Sequence, residues 1–266
     1  LNSSIASYST AVQIIITVFM IICSINFTVY YMFLIKRPKE ALMCEEMRYY
    51  LLIVFGSALL IAFLPISSFA SFGKAFQQAI FQVASVISTT GFATADFNLW
   101  PEFSRTILVL LMFVGACAGS TGGGIKVSRL IIMVKSVRNE IMSVTHPRSV
   151  QKVHMDGRRI PDNVVKTVLC YLAGYVVILI VSVLLISLDN FDMTTNFTAV
   201  MATFNNVGPG LNRVGPTGNF GGFSVLSKLV LMFDMLVGRL ELFPMLVIFA
   251  PGLWRIHPHR HVGKVQ

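Results

Sequence analysis

The sequence predicts an all-α polytopic membrane protein built from repeated units of spanning helix, pore half-helix, filter turn and second spanning helix. Three observations predict it. Apolar residues make up 55% of the 266 and charged residues only 12%, with a mean hydropathy of +0.74. Apolar runs recur at the roughly 20-residue length that crosses a hydrocarbon core of about 30 Å. One pattern also occurs twice: a long apolar helix, a short half-apolar segment, a sharp glycine turn and another long apolar helix. The turns are Ser88-Thr89-Thr90-Gly91-Phe92-Ala93-Thr94 and Asn205-Asn206-Val207-Gly208-Pro209-Gly210.

In chain order, full spans are expected at residues 11–35, 49–70, 164–188 and 223–254, with a fifth, glycine-interrupted, at 103–137. The first has no upstream partner and the chain opens at Leu1, so further units are expected to precede it. The organisation reads as an inner helix and cytoplasmic link (1–48), a full unit (49–137), a basic cytoplasmic loop (138–163), a second full unit (164–255) and a cytoplasmic tail (256–266). Residues 108–113 and 229–233 repeat one another. Aligning Phe113 with Phe233 sets Gly119 opposite Arg239.

The net charge of +9 follows sidedness rather than a nucleic-acid patch. Lys36, Arg37, Lys39 and Arg48 lie between the first two spans, a run from Lys126 to Lys166 lies between the third and fourth, and Arg255, Arg260 and Lys264 follow the last. The opposite side holds Lys74, Arg105, Arg213 and Lys228. This bias puts the C-terminus in the cytoplasm, and it requires each short segment to enter and leave by the outer face. Cys23, Cys44, Cys117 and Cys170 are scattered without metal-ligand spacing and read as free thiols. Glycosylation at the Asn26 and Asn196 sequons is discounted, because both fall in or beside membrane segments.

The short segments, 74–87 and 194–204, are too short to cross. At about 1.5 Å per residue the first reaches some 20 Å. As half-helices they aim the negative poles of their dipoles at the turns, which favours a cation there. The alternative is a pair of amphipathic helices lying in the interface. Backbone carbonyls can replace a cation's hydration shell without a fixed charge. The carbonyls of Thr89, Thr90, Gly91, Asn206, Val207 and Gly208 are the candidate ligands, with Gly91 and Gly208 supplying the positive φ that a tight turn needs.

The run Gly115-Ala116-Cys117-Ala118-Gly119-Ser120-Thr121-Gly122-Gly123-Gly124-Ile125-Lys126 is not a phosphate-binding loop, since Ile125 separates the last glycine from the lysine. The preceding helix should descend about 18 Å, which places the run beneath the turns inside the membrane. There it reads as a mobile gate made of Gly115, Gly119, Ser120, Thr121, Gly122, Gly123 and Gly124, or else as a glycine seam for close packing. Arg239 lies within an apolar span and needs a cavity or a partner. It is expected to hydrogen-bond the loop's carbonyls; the alternative is an ion pair with Glu241 or Asp234. Glu241, His146 and His154 form no catalytic group, so no enzyme is expected.

The stretches 88–129 and 205–244, with the 119–126 run and Gly238-Arg239-Leu240-Glu241, resemble the Trk/Ktr/HKT potassium-transport superfamily, most closely its Trk-type membrane subunits. The resemblance covers essentially the whole chain. It implies a pseudo-fourfold cation pore of four repeats, with one filter glycine in each. Gly91 and Gly208 would then be the third and fourth filter glycines, residues 1–48 the end of an incomplete second repeat, 115–124 the gating loop and Arg239 its contact. It also implies potassium as the transported ion, no organic cofactor in this chain, and a homodimer in a bacterial inner membrane. Its partner would be a cytosolic regulatory subunit binding a nucleotide of the NAD or ATP type. Lacking two of the four turns, the chain alone should not conduct. Besides potassium uptake through a gated pore, the alternative is an alternating-access carrier coupled to sodium or protons. The basic loop would dock the cytosolic partner or anchor on anionic lipid.

Overall fold

The computed structural model describes residues 4–63, 71–146, 151–240 and 242–248. Helix α1 (Thr10–Cys23) gives way to α2 (Phe27–Leu34) through a bend of 88°, so residues 11–35 are not the straight span that their hydropathy suggests. The cause lies elsewhere in the chain. Broken backbone in a bilayer survives where other protein satisfies its polar groups. Here the Cys117 and Thr121 N–H groups donate to the Ser24 and Cys23 carbonyls at 3.1 and 3.5 Å, and the Phe27 N–H donates to the Gly119 carbonyl at 3.2 Å. Asn26 then caps α2, accepting from the Thr28 N–H at 2.8 Å.

After the short α3 (Pro38–Met43), the first unit is formed by α4 (Glu45–Phe63), α5 (Phe72–Ile87) and α6 (Glu102–Val114). Helix α7 (Val127–Thr145) and a hairpin of β1 (His154–Met155) and β2 (Arg158–Arg159) lead to the second unit. That unit comprises α8 (Asp162–Ile186), α9 (Met193–Phe204) and α10 (Val225–Leu240), and α11 (Leu242–Ile248) follows it. Among the described residues, α4 and α8 are long and apolar enough to cross a membrane alone, and the bent α1–α2 pair would be a third span. The expected 103–137 span is split at the glycine run. Of the 223–254 span, α10 and α11 are described, while residue 241 and the part beyond 248 lie outside the described residues. The basic segment is not simply a loop either, since α7 continues to Thr145 and the hairpin follows.

Both half-helices start on a capping side chain. Ser71 accepts from the Lys74 N–H at 3.5 Å, and Asp192 accepts from the Thr195 N–H and hydroxyl at 3.0 and 2.6 Å. The Thr195 hydroxyl, aided by its N–H, holds the Asp192 carboxyl below the usual carboxylate range. At about 1.5 Å per residue, α5 and α9 reach only some 24 and 18 Å. Residues 81–88 and 198–205 are buried without interruption. An interfacial amphipathic helix would leave one face open, so these helices run inward.

In the first unit, Tyr50, Val54, Ala58 and Ile61 form a helical stripe on α4 that packs with Ala79, Val83 and Val86 of α5 and Leu108 of α6. In the second, Ile186 of α8 packs with Ala199 and Val200 of α9 and Leu231 of α10. The opposite faces are apolar and exposed: Leu52, Leu59 and Phe63 on α4, and Val177, Ile180 and Leu184 on α8. Exposed apolar stripes of this kind mark surfaces that lipid or further protein covers.

Candidate functional site

Both half-helices end in the same hydrogen-bonded motif. After α5, the Thr89 N–H donates to the Val86 carbonyl at 3.1 Å and the Thr90 N–H to the Ser85 carbonyl at 3.0 Å. After α9, the Asn206 N–H donates to Thr203 at 3.0 Å and the Val207 N–H to Ala202 at 2.8 Å. This is a Schellman ending, in which the left-handed position normally falls to glycine. Here Thr89 and Asn206 occupy it, with φ of 56° and 57°, and the glycines come two residues later, Gly91 at 77° and Gly208 at 109°. The glycines were legible in the sequence; the strained Thr89 and Asn206 were not.

The two turns touch. A Cβ on Gly91 would stand 2.1 Å from the Val207 carbonyl oxygen, whereas a Cβ on Gly208 would meet nothing closer than the Gly91 Cα at 4.0 Å. Among the described residues, none of the carbonyls of Thr89, Thr90, Gly91, Asn206, Val207 and Gly208 accepts a hydrogen bond. The residues behind them are well anchored. Ser85 donates its hydroxyl to the Phe92 carbonyl at 2.6 Å. The fully buried Asn205 exchanges two hydrogen bonds with the Tyr175 hydroxyl, at 2.8 and 3.1 Å.

The 115–124 run packs directly against the two turns. Its neck is pinched: a Cβ on Gly124 would stand 2.8 Å from the Gly115 Cα. A Cβ on Gly122 would lie 3.3 Å from the Ser88 carbonyl, and one on Gly123 2.7 Å from that of Asn205. The Gly123 N–H donates to the Thr89 hydroxyl at 2.8 Å. Ser120 turns back on the loop, its hydroxyl donating to Cys117 at 2.6 Å, and the Lys126 ammonium donates to the Gly122 carbonyl.

Arg239 does reach the loop, but not at the residue that the repeat alignment set opposite it. Its Nη1 donates to the Thr121 carbonyl at 3.2 Å, while Gly119 lies against Asn26 and gives its carbonyl to Phe27. The alignment ignores the 88° break in the first helix, and that break claims Gly119. The alternative pairing with Asp234 is not made, since Asp234 is buried and accepts from the Ser182 hydroxyl at 2.7 Å. Glu241 lies outside the described residues.

The residue pattern described as "TrkH: Cation transport protein" matches residues 1–256. The chain belongs to the TrkH family. It is 36% identical over 253 residues to the Trk system potassium uptake protein TrkH of Vibrio parahaemolyticus, covering 93% of this chain and 52% of that protein. It is 34% identical over 251 residues to the protein of the same name from Escherichia coli K12, covering 93% and 51%. The crystal structure of the potassium transporter TrkH from Vibrio parahaemolyticus superposes with a TM-score of 0.86 at 34% identity, covering 95% of this chain and 55% of that one. The chain spans about half the length of the TrkH relatives it matches.

Two features of this TrkH-family chain escaped the sequence reading. Gly238 lets α10 lie against the end of α9, since a Cβ there would stand 1.7 Å from the Phe204 carbonyl oxygen. Glycine beside an intramembrane arginine was the available signal. Glu46, 2% exposed, accepts from the Ala118 and Ser128 N–H groups at 2.6 and 3.0 Å and from the Asn26 amide at 3.4 Å. In the sequence it is one of two adjacent glutamates in a charged link, and nothing there marks it as buried.

Proposed function

We propose that this chain builds part of the wall of a gated, channel-like pore for potassium uptake, within a Trk-type membrane subunit. The matched turns carry the reading. Six carbonyl oxygens, on two copies of one backbone motif at the ends of enclosed half-helices, have no hydrogen-bond donor among the described residues. Val207 is buried, Thr89, Gly91 and Asn206 are half-buried, and Thr90 and Gly208 are exposed. Carbonyl oxygens left without a protein donor on such an open face can take the place of water around a cation. The dipoles of α5 and α9 add negative potential at the same place.

The 115–124 loop then acts as the gate, with Arg239 holding its Thr121 carbonyl. An arginine at ~10 Å with an effective dielectric of ~20 raises a monovalent cation's energy by about 1.7 kcal/mol, so charge and sterics oppose flow together. Potassium as the ion follows the descriptions of the relatives. Because the chain spans about half their length, conduction is proposed for the complete protein, as a homodimer in a bacterial inner membrane with its C-terminus in the cytoplasm. Arg158 and Arg159, exposed on the hairpin, would dock a cytosolic nucleotide-binding regulatory subunit.

Labelled potassium flux into vesicles containing the complete protein tests the reading. Uptake down the potassium gradient alone, competed poorly by sodium, supports the pore. Uptake that requires a sodium or proton gradient points to the alternating-access carrier instead.

A further inference from the structure

Glu46 is the second residue of α4 and is buried, yet its carboxylate serves three other elements. Oε1 takes the Ala118 N–H from the glycine-rich loop at 2.6 Å and the Ser128 N–H from the first turn of α7 at 3.0 Å. Oε2 faces the amide of Asn26, at the break between α1 and α2, at 3.4 Å. Backbone amides at a helix start suit a buried anion, and charge-assisted bonds are the stronger kind.

The residue just before it, Glu45, is held from the hairpin. Asp156, in the two-residue turn between β1 and β2, accepts the Glu45 N–H at 2.7 Å. Lys135 of α7 bridges the Glu45 carboxylate and the His154 carbonyl, the latter at 2.7 Å. The chain of contacts thus runs from hairpin turn to α4 terminus to glycine-rich loop, with no gap.

We propose that Glu46 is the positioning residue of the glycine-rich loop, and that Asp156 transmits the hairpin's position to it through the first turn of α4. A partner that shifts the hairpin would then shift the loop. The inference rests on the pore reading only for its consequence in ion flow; the mechanical link stands or falls separately.

Cys117, buried and adjacent to Ala118, is a built-in probe. In the complete, membrane-embedded protein with every cysteine except Cys117 replaced by Ala, including Cys23, Cys44 and Cys170, the rate of Cys117 modification by a hydrophilic methanethiosulfonate is measured well below the melting temperature. Glu46→Gln should raise that rate about tenfold, the scale set by loss of a charged hydrogen bond. Glu46→Asp, which keeps the charge but withdraws it, should also raise it. Asp156→Ala, on the exposed hairpin, should raise it by a smaller factor and add little to Glu46→Gln. Glu40→Gln, exposed and paired with Arg37, should change nothing. A Cys117 rate within twofold of the parent in the Glu46 variants, with melting unchanged, overturns the proposal even if Arg239→Ala still opens the pore. A raised rate in the Glu46 variants with no response to Asp156→Ala overturns the hairpin link. Raised rates in both the Glu46 and Asp156 variants without any change in ion flux uphold the link and sink the gate.

Discussion

The Arg239 guanidinium donates from Nη1 to the Thr121 carbonyl at 3.2 Å, joining α10 to the tip of the glycine-rich loop. From the other side, Thr121 gives its N–H and hydroxyl to the Cys23 carbonyl at 3.5 and 3.2 Å. The tip is therefore held between the last helix of one unit and the break in the first helix of the chain. Arg239→Ala removes one of these two holds and a positive charge. Basal potassium flux should rise roughly five- to thirtyfold, the range that 1–2 kcal/mol spans. Arg239→Lys keeps the charge without the planar fork and should fall between. Reduced flux with normal folding would show that the contact only supports the structure.

Gly238 stands where no side chain fits. With a Cβ 1.7 Å from the Phe204 carbonyl oxygen, Gly238→Ala must push α10 away from the end of α9. Overpacking of this kind costs about 1–3 kcal/mol. The melting temperature should drop measurably, and the Arg239–Thr121 contact should loosen with it. An unchanged melting temperature would mean that α10 approaches less closely than described.

Tyr175→Phe tests the anchor behind the second turn. It removes both bonds to the Asn205 side chain, whose amide still reaches the Met201 carbonyl at 3.0 Å. Leaving the buried amide oxygen unpaired should cost about 1–3 kcal/mol in thermal or denaturant unfolding. Because Asn205 directly precedes Asn206, ion selection should also soften. A stability loss with selectivity intact would confine Tyr175 to packing.

Neutralising Arg158 and Arg159 together should weaken copurification of the cytosolic regulatory subunit and blunt the nucleotide response. Both side chains are exposed, and among the described residues the ion pair of Arg159 is a 3.6 Å contact with Asp162, so the fold should be spared. Retained binding and response would leave the hairpin as an anchor on lipid.

Much of this architecture was legible because a bilayer leaves few choices. The half-helices, the Gly91 and Gly208 turns and the break after Val114 follow from apolar run length and glycine placement. What stayed hidden depends on distant backbone. Nothing in 11–35 marks the bend at Ser24–Asn26, because the groups that satisfy it belong to residues 117–121. Nothing near Glu46 marks it as buried for the same reason, because the groups it accepts from belong to Asn26, Ala118 and Ser128. The hairpin was missed although its Asp156-Gly157 turn was in plain view, a recognised hairpin signal. The strained Thr89 and Asn206 are not types that advertise a positive φ as glycine does, though asparagine tolerates it.

The potassium-to-sodium flux ratio of Gly91→Ser and Gly208→Ser in the complete protein tests the central claim most directly. Gly91 combines a φ of 77° with a Cβ site 2.1 Å from the Val207 carbonyl, while Gly208 has the positive φ, 109°, but open space around it. Backbone strain of the positive-φ kind is worth about 1–3 kcal/mol, so selectivity should fall by around tenfold in Gly208→Ser. It should fall further in Gly91→Ser, where the side chain also collides with a carbonyl of the neighbouring turn. A ratio unchanged in both variants, with the protein folded and conducting, would contradict a pathway lined by these carbonyls.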